Sequence, residues 1–192
     1  MGANLDRVFV VDVEATCWET REEQGKRPNE VIEIGICALD IPSGRILDPS
    51  SYVIKPRFTQ VSPFCTQLTG WTQEQVNTGG DIGETLYAII NDYSITKDHL
   101  WFSCGEYDRI KLGCDGPASL GDLYGISRSQ NPFAFMRAHV NIKTLFALKH
   151  KLRREMGMAG MLKTAGLQLD GRHHSGVDDA YNIAKLVHHV LT

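Results

Sequence analysis

The chain contains no apolar run long enough to cross a membrane, and its N-terminus, MGANLDR, lacks the charged-then-apolar order of a secretory signal. These absences point to a soluble, cytoplasmic protein. No C-x-x-C pair occurs among Cys17, Cys37, Cys65, Cys104 and Cys114, and an odd number in mostly apolar surroundings implies neither a disulfide framework nor a zinc site. Reduced core thiols are expected. There is no repeat, no low-complexity segment and no second block of composition, so residues 1–192 read as one domain, long enough to bury about 70% of its unfolded surface. An excess of either charge is lacking too, with 20 Lys and Arg against 23 Asp and Glu. A formal net charge of −3 favours a protein that grips a short end over one that coats long duplexes by electrostatics.

What is present begins with LDRVFVVDVEATCWE, residues 5–19, an apolar strand with two carboxylates set into it. Side chains on a strand alternate faces, so Asp12 and Glu14 project together with Val8 and Val10, while Phe9, Val11, Val13 and Ala15 take the other side. Two anions side by side in apolar surroundings are costly unless a cation lies between them, and a divalent metal is the usual answer.

The polar stretch 20–29 reads as a loop. VIEIGICALD, residues 31–40, reads as a strand, the PSG turn at 42–44 leads to a third strand over 50–56, and the short connections suggest an antiparallel meander. Ser62 and Pro63 open a short helix that stops at Gly70. Residues 81–93 place Ile82, Leu86, Ile89 and Ile90 at helical spacing; 99–105 is a buried strand delivering a short helix near Glu106. Residues 115–137 read as loop with one helical turn, followed by a short strand that becomes a helix near Lys143. Two helices close the chain, 157–166 and 174–191. Strands first, then alternating helices and strands, predict an α/β domain: a mixed five-stranded sheet, its first three strands antiparallel, flanked by helices.

The last helix carries adjacent acids that helical geometry separates. Ser175 and Asp178 have capping-box spacing, and Asp178 heads the polar stripe Asn182, Lys185 and His189. Asp179 heads Ile183, Leu186 and Val190, pointing to the core margin, where a carboxylate needs a partner. His174, five residues before Asp179, is preferred over His173 as the imidazole that approaches the same partner. Asp108 lies past the C-terminal end of a buried strand, where ligands bind in open α/β sheets, whereas Glu106 falls at a helix start and can simply complement its dipole. Lys149, Lys151, Arg153 and Arg154 form the densest basic run, read either as a solvated helix face or as a track for a phosphate backbone.

DVEATCW at 12–18, Tyr107-Asp108 after an apolar strand, and HSGVDDAYNIA at 174–184 together resemble the three exonuclease motifs of the DEDDh superfamily. With EVIEIG at 30–35 and FCTQLTG at 64–70, the chain is similar to the ERI-type branch, which includes three-prime exonucleases acting on histone messenger and small RNAs. The resemblance spans residues 6–190. It implies a ribonuclease-H-like fold, Asp12, Glu14, Asp108 and Asp179 as ligands of two Mg²⁺ or Mn²⁺ ions with Asp12 bridging, and His174 as general base. The activity it implies is stepwise hydrolysis from the 3′ end of a single strand, RNA more than DNA, releasing nucleoside 5′-monophosphates. Ala15, Thr16, Phe64, Leu68 and Tyr107 are then candidates for the pocket of the terminal nucleotide, where stacking on an aromatic ring contributes about 1–3 kcal/mol without reading sequence. Some relatives have tryptophan where Tyr107 stands, and some carry an extra nucleic-acid-binding domain. The alternatives are an exonuclease for DNA or very short oligonucleotides, and a non-catalytic binding module of the same fold.

Overall fold

The computed structural model describes residues 5–192; residues 1–4, on which part of the signal-sequence reading rests, lie outside them. In chain order the elements are β1 (Arg7–Ala15), α1 (Arg21–Gln24), β2 (Val31–Asp40), β3 (Arg45–Val53), α2 (Pro63–Thr69), α3 (Gln73–Asn77), α4 (Ile82–Tyr93) and β4 (Leu100–Ser103). Then follow α5 (Tyr107–Lys111), α6 (Leu120–Tyr124), a 3₁₀ turn (Arg128–Gln130), α7 (Pro132–Phe135), β5 (Ala138–Asn141), α8 (Ile142–Lys149), α9 (Met158–Ala165) and α10 (Gly176–Leu191). The sheet order is β3-β2-β1-β4-β5. The first three strands pair antiparallel, and β4 and β5 join parallel to β1 and to each other, giving the expected mixed α/β sheet.

The alternation of β1 divides the core in two. Phe9, Val11 and Val13 pack with Ile34, Ile36 and the α4 residues Ile82, Leu86, Ile89 and Tyr93. Val8 and Val10, on the face of the acids, pack with Phe102 and with Ala180, Ile183, Ala184 and Val187 of α10. Each fully buried aliphatic side chain contributes about 1.5–3 kcal/mol, so the helix bearing Asp179 is held against the strand bearing Asp12 and Glu14. Its approach is close: a Cβ built on Gly35 of β2 would lie 1.9 Å from the carbonyl carbon of Gly176.

Several boundaries differ from the sequence reading. β3 starts at Arg45 because the turn after Asp40 is tight, with Arg45 paired directly to Asp40. Pro49 is tolerated because β3 is an edge strand with an irregular register between Ile36 and Ala38 of its partner. The 20–29 loop contains α1, capped by the Thr20 hydroxyl, and α3 is an unforeseen helix closed by a Thr72–Gln75 capping box. Residues 115–137 hold three short helical pieces in place of one, with Ser119 and Asn131 side chains capping α6 and α7. No helix among the described residues is long and apolar enough to cross a membrane.

Candidate active site

The acids meet at the C-terminal half of β1. Ligand oxygens of Asp12, Glu14 and Asp179 all lie within 4.8 Å of one another. Asp108 arrives from the first turn of α5, where its Oδ1 accepts a hydrogen bond from the Val13 N–H at 3.1 Å, tying α5 to the strand between the two acids. Glu14, Asp108 and Asp179 are buried, and Asp12 is partly open to a cleft of about 440 Å³ lined by all four acids, His173, His174 and Lys143. The rival acid, Glu106, is exposed and paired with Arg109.

Electrostatics express the crowding. Burial, then Asp108 and Glu14, push the Asp12 carboxyl well above the ordinary range. Burial and then Glu33 raise Glu14 to about 8, and burial raises Asp108 to about 6 against a lowering hydrogen bond from Val13. Asp179 Oδ1 is buried without a hydrogen-bond partner. A set of hard oxygen ligands crowded this way, one oxygen left orphaned, fits a divalent metal ion.

The histidines divide differently from the sequence expectation. The His173 ring Nδ1 lies 2.9 Å from Asp179 Oδ2, an oxygen that also accepts the His174 backbone N–H at 2.9 Å. The His174 ring stacks on His173 at 4.1 Å and lines the cleft without bonding the carboxylate. Burial and then the neighbouring His173 shift the His174 imidazole below its ordinary value, favouring its uncharged form, against an opposing pull from Asp179. His174 adopts φ 65°, a left-handed conformation uncommon for a non-glycine residue.

The capping box expected at Ser175 does not form. Ser175 makes no side-chain cap bond, and Asp178 Oδ2 instead accepts the Arg172 N–H at 2.9 Å. The Gly176 N–H is taken at 3.0 Å by Glu33, a buried carboxylate on β2 opposite Glu14 that also accepts from Ser51 and Trp71. Sequence reasoning assigned Glu33 no role, although an acid inside VIEIG was a visible signal.

Among the candidate pocket residues, Ala15, Leu68 and Tyr107 line the acid cleft. Ala15 lies where the register with β2 slips, between Glu14 and Ala15. Thr16 is fully buried, its hydroxyl bonded to Thr59 and to the Glu30 N–H. Phe64 lines an adjoining groove with Trp18 and Arg27 instead of the acid cleft. Of the basic run, Lys149 bonds the His189 carbonyl, while Lys151, Arg153 and Arg154 line a separate groove.

The fold and the convergent acids define a ribonuclease-H-like scaffold with a candidate metal centre at the end of its central strand. A family model described as exonuclease matches residues 9–105, just over half of the 192 residues. The chain belongs to this exonuclease family. It is 30% identical over 195 residues to 3′-5′ exoribonuclease 1 of Homo sapiens, covering 97% of this chain and 52% of that protein. With ERI1 exoribonuclease 2 of Danio rerio the identity is 28%, over 96% of this chain and 35% of the relative. This chain thus spans about half or less of the length of these two relatives. The crystallographic structure of the nuclease domain of 3′hExo, a DEDDh family member bound to rAMP, superposes with a TM-score of 0.84 at 28% identity, covering 100% of this chain and 94% of that one.

Proposed function

We propose that this chain is a metal-dependent 3′-5′ exonuclease, a single catalytic domain over residues 1–192 that shortens single-stranded RNA from its 3′ end and releases nucleoside 5′-monophosphates. The observation that carries the reading is the convergence of Asp12, Glu14 and Asp179 within 4.8 Å around an orphaned buried oxygen. Relatives named exoribonucleases, and a neighbouring nuclease domain holding rAMP, favour RNA over DNA. Free cysteines suit a reducing, cytoplasmic compartment.

In this reading Asp12, Glu14, Asp108 and Asp179 would hold two Mg²⁺ or Mn²⁺ ions. When bound, such ions supply charge stabilisation for an in-line displacement at phosphorus. The chain's own contribution is positional. Ala15, Leu68 and Tyr107 hold the terminal nucleotide, which sets the scissile phosphate over the acids. The neutral His174 imidazole accepts the proton of the attacking water, and His173 orients Asp179 through the 2.9 Å contact.

The test uses matched 5′-labelled RNA and DNA strands incubated with the purified protein and Mn²⁺. The expected result is an EDTA-sensitive ladder shortening one nucleotide at a time, faster on RNA, with 5′-monophosphates as product. Absence of shortening would remove the enzyme reading, and faster DNA cleavage would remove the RNA preference.

A further inference from the structure

Of the nine lysines, three are not exposed: Lys111, Lys143 and Lys185. Lys111 donates to the Asn29 carbonyl at 2.9 Å, and Lys185 pairs with Asp170 at 2.8 Å. Of these three, only Lys143 has neither hydrogen bond nor ion pair on its ammonium among the described residues, yet it lines the acid cleft. Its charge acts on Asp108 only from beyond ion-pair distance, lowering the acid's pKa through space. The Lys143 side chain is partly buried, and an ammonium in the wall of a cleft with its donors unmatched is completed by an anion.

The placement of the elements says which anion. Leu68 sits on α2, which packs over β2 through Cys65 and Ile32. Tyr107, half exposed on α5, lines the same cleft as Leu68. Lys143 follows β5, at the opposite edge of the sheet, with Gly157 and Met158 beside it in the cleft. The acids on β1 lie between these two ends. A strand whose last nucleotide rests on Leu68 and Tyr107, with its scissile phosphate over the acids, therefore runs on toward Lys143. Past the end of α8, Lys151, Arg153 and Arg154 line a further groove with Thr144, the neighbour of Lys143.

We propose that Lys143 forms a subsite for the phosphodiester immediately upstream of the scissile one, the second linkage from the 3′ end. This rests on the exonuclease reading above. The ammonium suits a phosphate oxygen as a compact point charge that does not read the base, so it would grip any sequence. Gly105, at φ 118°, keeps the approach open: a Cβ there would stand 3.2 Å from the Lys143 Nζ.

Charge can be removed from either partner. Binding is read by fluorescence anisotropy on a short 5′-fluorescein RNA whose second linkage from the 3′ end is either phosphate or neutral methylphosphonate, with Ca²⁺ in place of the catalytic ion. The neutral linkage is expected to weaken wild-type binding roughly fivefold to tenfold, and to weaken Lys143→Met by less than about twofold, because the variant has no charge left to lose. Lys143→Arg keeps the charge and should keep the sensitivity. Equal weakening of wild type and Lys143→Met would overturn the subsite, whatever the variant's affinity, and would mean that the ammonium serves the acids alone. If wild-type protein neither binds nor, with Mn²⁺, shortens the unmodified RNA, the exonuclease reading falls and this inference with it; intact shortening with equal losses brings down the inference alone.

Discussion

His173 Nδ1 and the backbone N–H of His174 converge on one oxygen of Asp179, both at 2.9 Å. Adjacent histidines thereby take different tasks: one ring contacts the carboxylate, and the other, stacked on it, lines the cleft. His174→Ala should lower kcat by about 10²–10⁴-fold, the range for loss of a general base, with affinity for RNA little changed. His173→Ala should cost about tenfold, through a less ordered Asp179. Steady-state rates of the two variants on one RNA decide it; a larger loss from His173→Ala would transfer the base to that residue.

The adjacent acids divide as well. Asp179 is buried beside Asp12 and Glu14, whereas Asp178 binds the Arg172 N–H on the opposite side of the helix start. Mn²⁺ should raise the melting temperature of wild type and of Asp178→Asn, because an ion that binds only the native state stabilises it by mass action. Asp179→Asn should lose that rise. Without metal, Asp178→Asn should cost about 1 kcal/mol, since an amide oxygen can still accept from Arg172. Equal Mn²⁺ responses from both variants would contradict the division.

Gly35 and Gly176 bring the sheet and α10 into close contact, and the Glu33 carboxylate closes it by accepting the Gly176 N–H at 3.0 Å. Gly35→Ala would put a methyl group 1.9 Å from backbone, where no side-chain rotation relieves it. The helix must move, carrying Asp179 away from Asp12. Urea denaturation should show a loss of about 3 kcal/mol or more, and the Mn²⁺ stabilisation should shrink with it. A variant as stable as wild type would show that the contact is looser than it looks.

How legible these features were depends on their range in the chain. The strand period put Asp12 and Glu14 on one face, and the helix period put Asp179 toward the core; both are local and survive folding. The capping box at Ser175 failed because a distant residue, Glu33, supplied the acceptor, and spacing within the helix carries no trace of that. Phe64 and Leu68 lie one turn apart on the same face of one short helix, and where that helix docks, set by tertiary packing, puts its two ends at different grooves. Residues 115–137 broke into turns of three to five residues, each too short for a period to show, although Ser119 and Asn131 were readable as caps.

Beneath the site, His139 lies 2.9 Å from Ser103 Oγ and its ring packs at 4.4 Å on Trp101. Burial holds its pKa down at about 4, with Glu106 opposing and Arg109 assisting. The unfolded imidazole titrates near the ordinary value of 6.5, so between these limits the unfolded chain binds the extra proton. Stability from this group is fully present above about 6.5 and is lost as pH falls toward about 4. Glu14, held up at about 8, contributes with the opposite slope, so the wild-type curve alone does not isolate the histidine. The difference from His139→Gln does. Urea unfolding of both proteins at about pH 4.5 and about pH 7 should show wild type losing on the order of 1 kcal/mol more than the variant on acidification. Parallel losses would mean that His139 protonates in place, with Ser103 and Trp101 accommodating the charge.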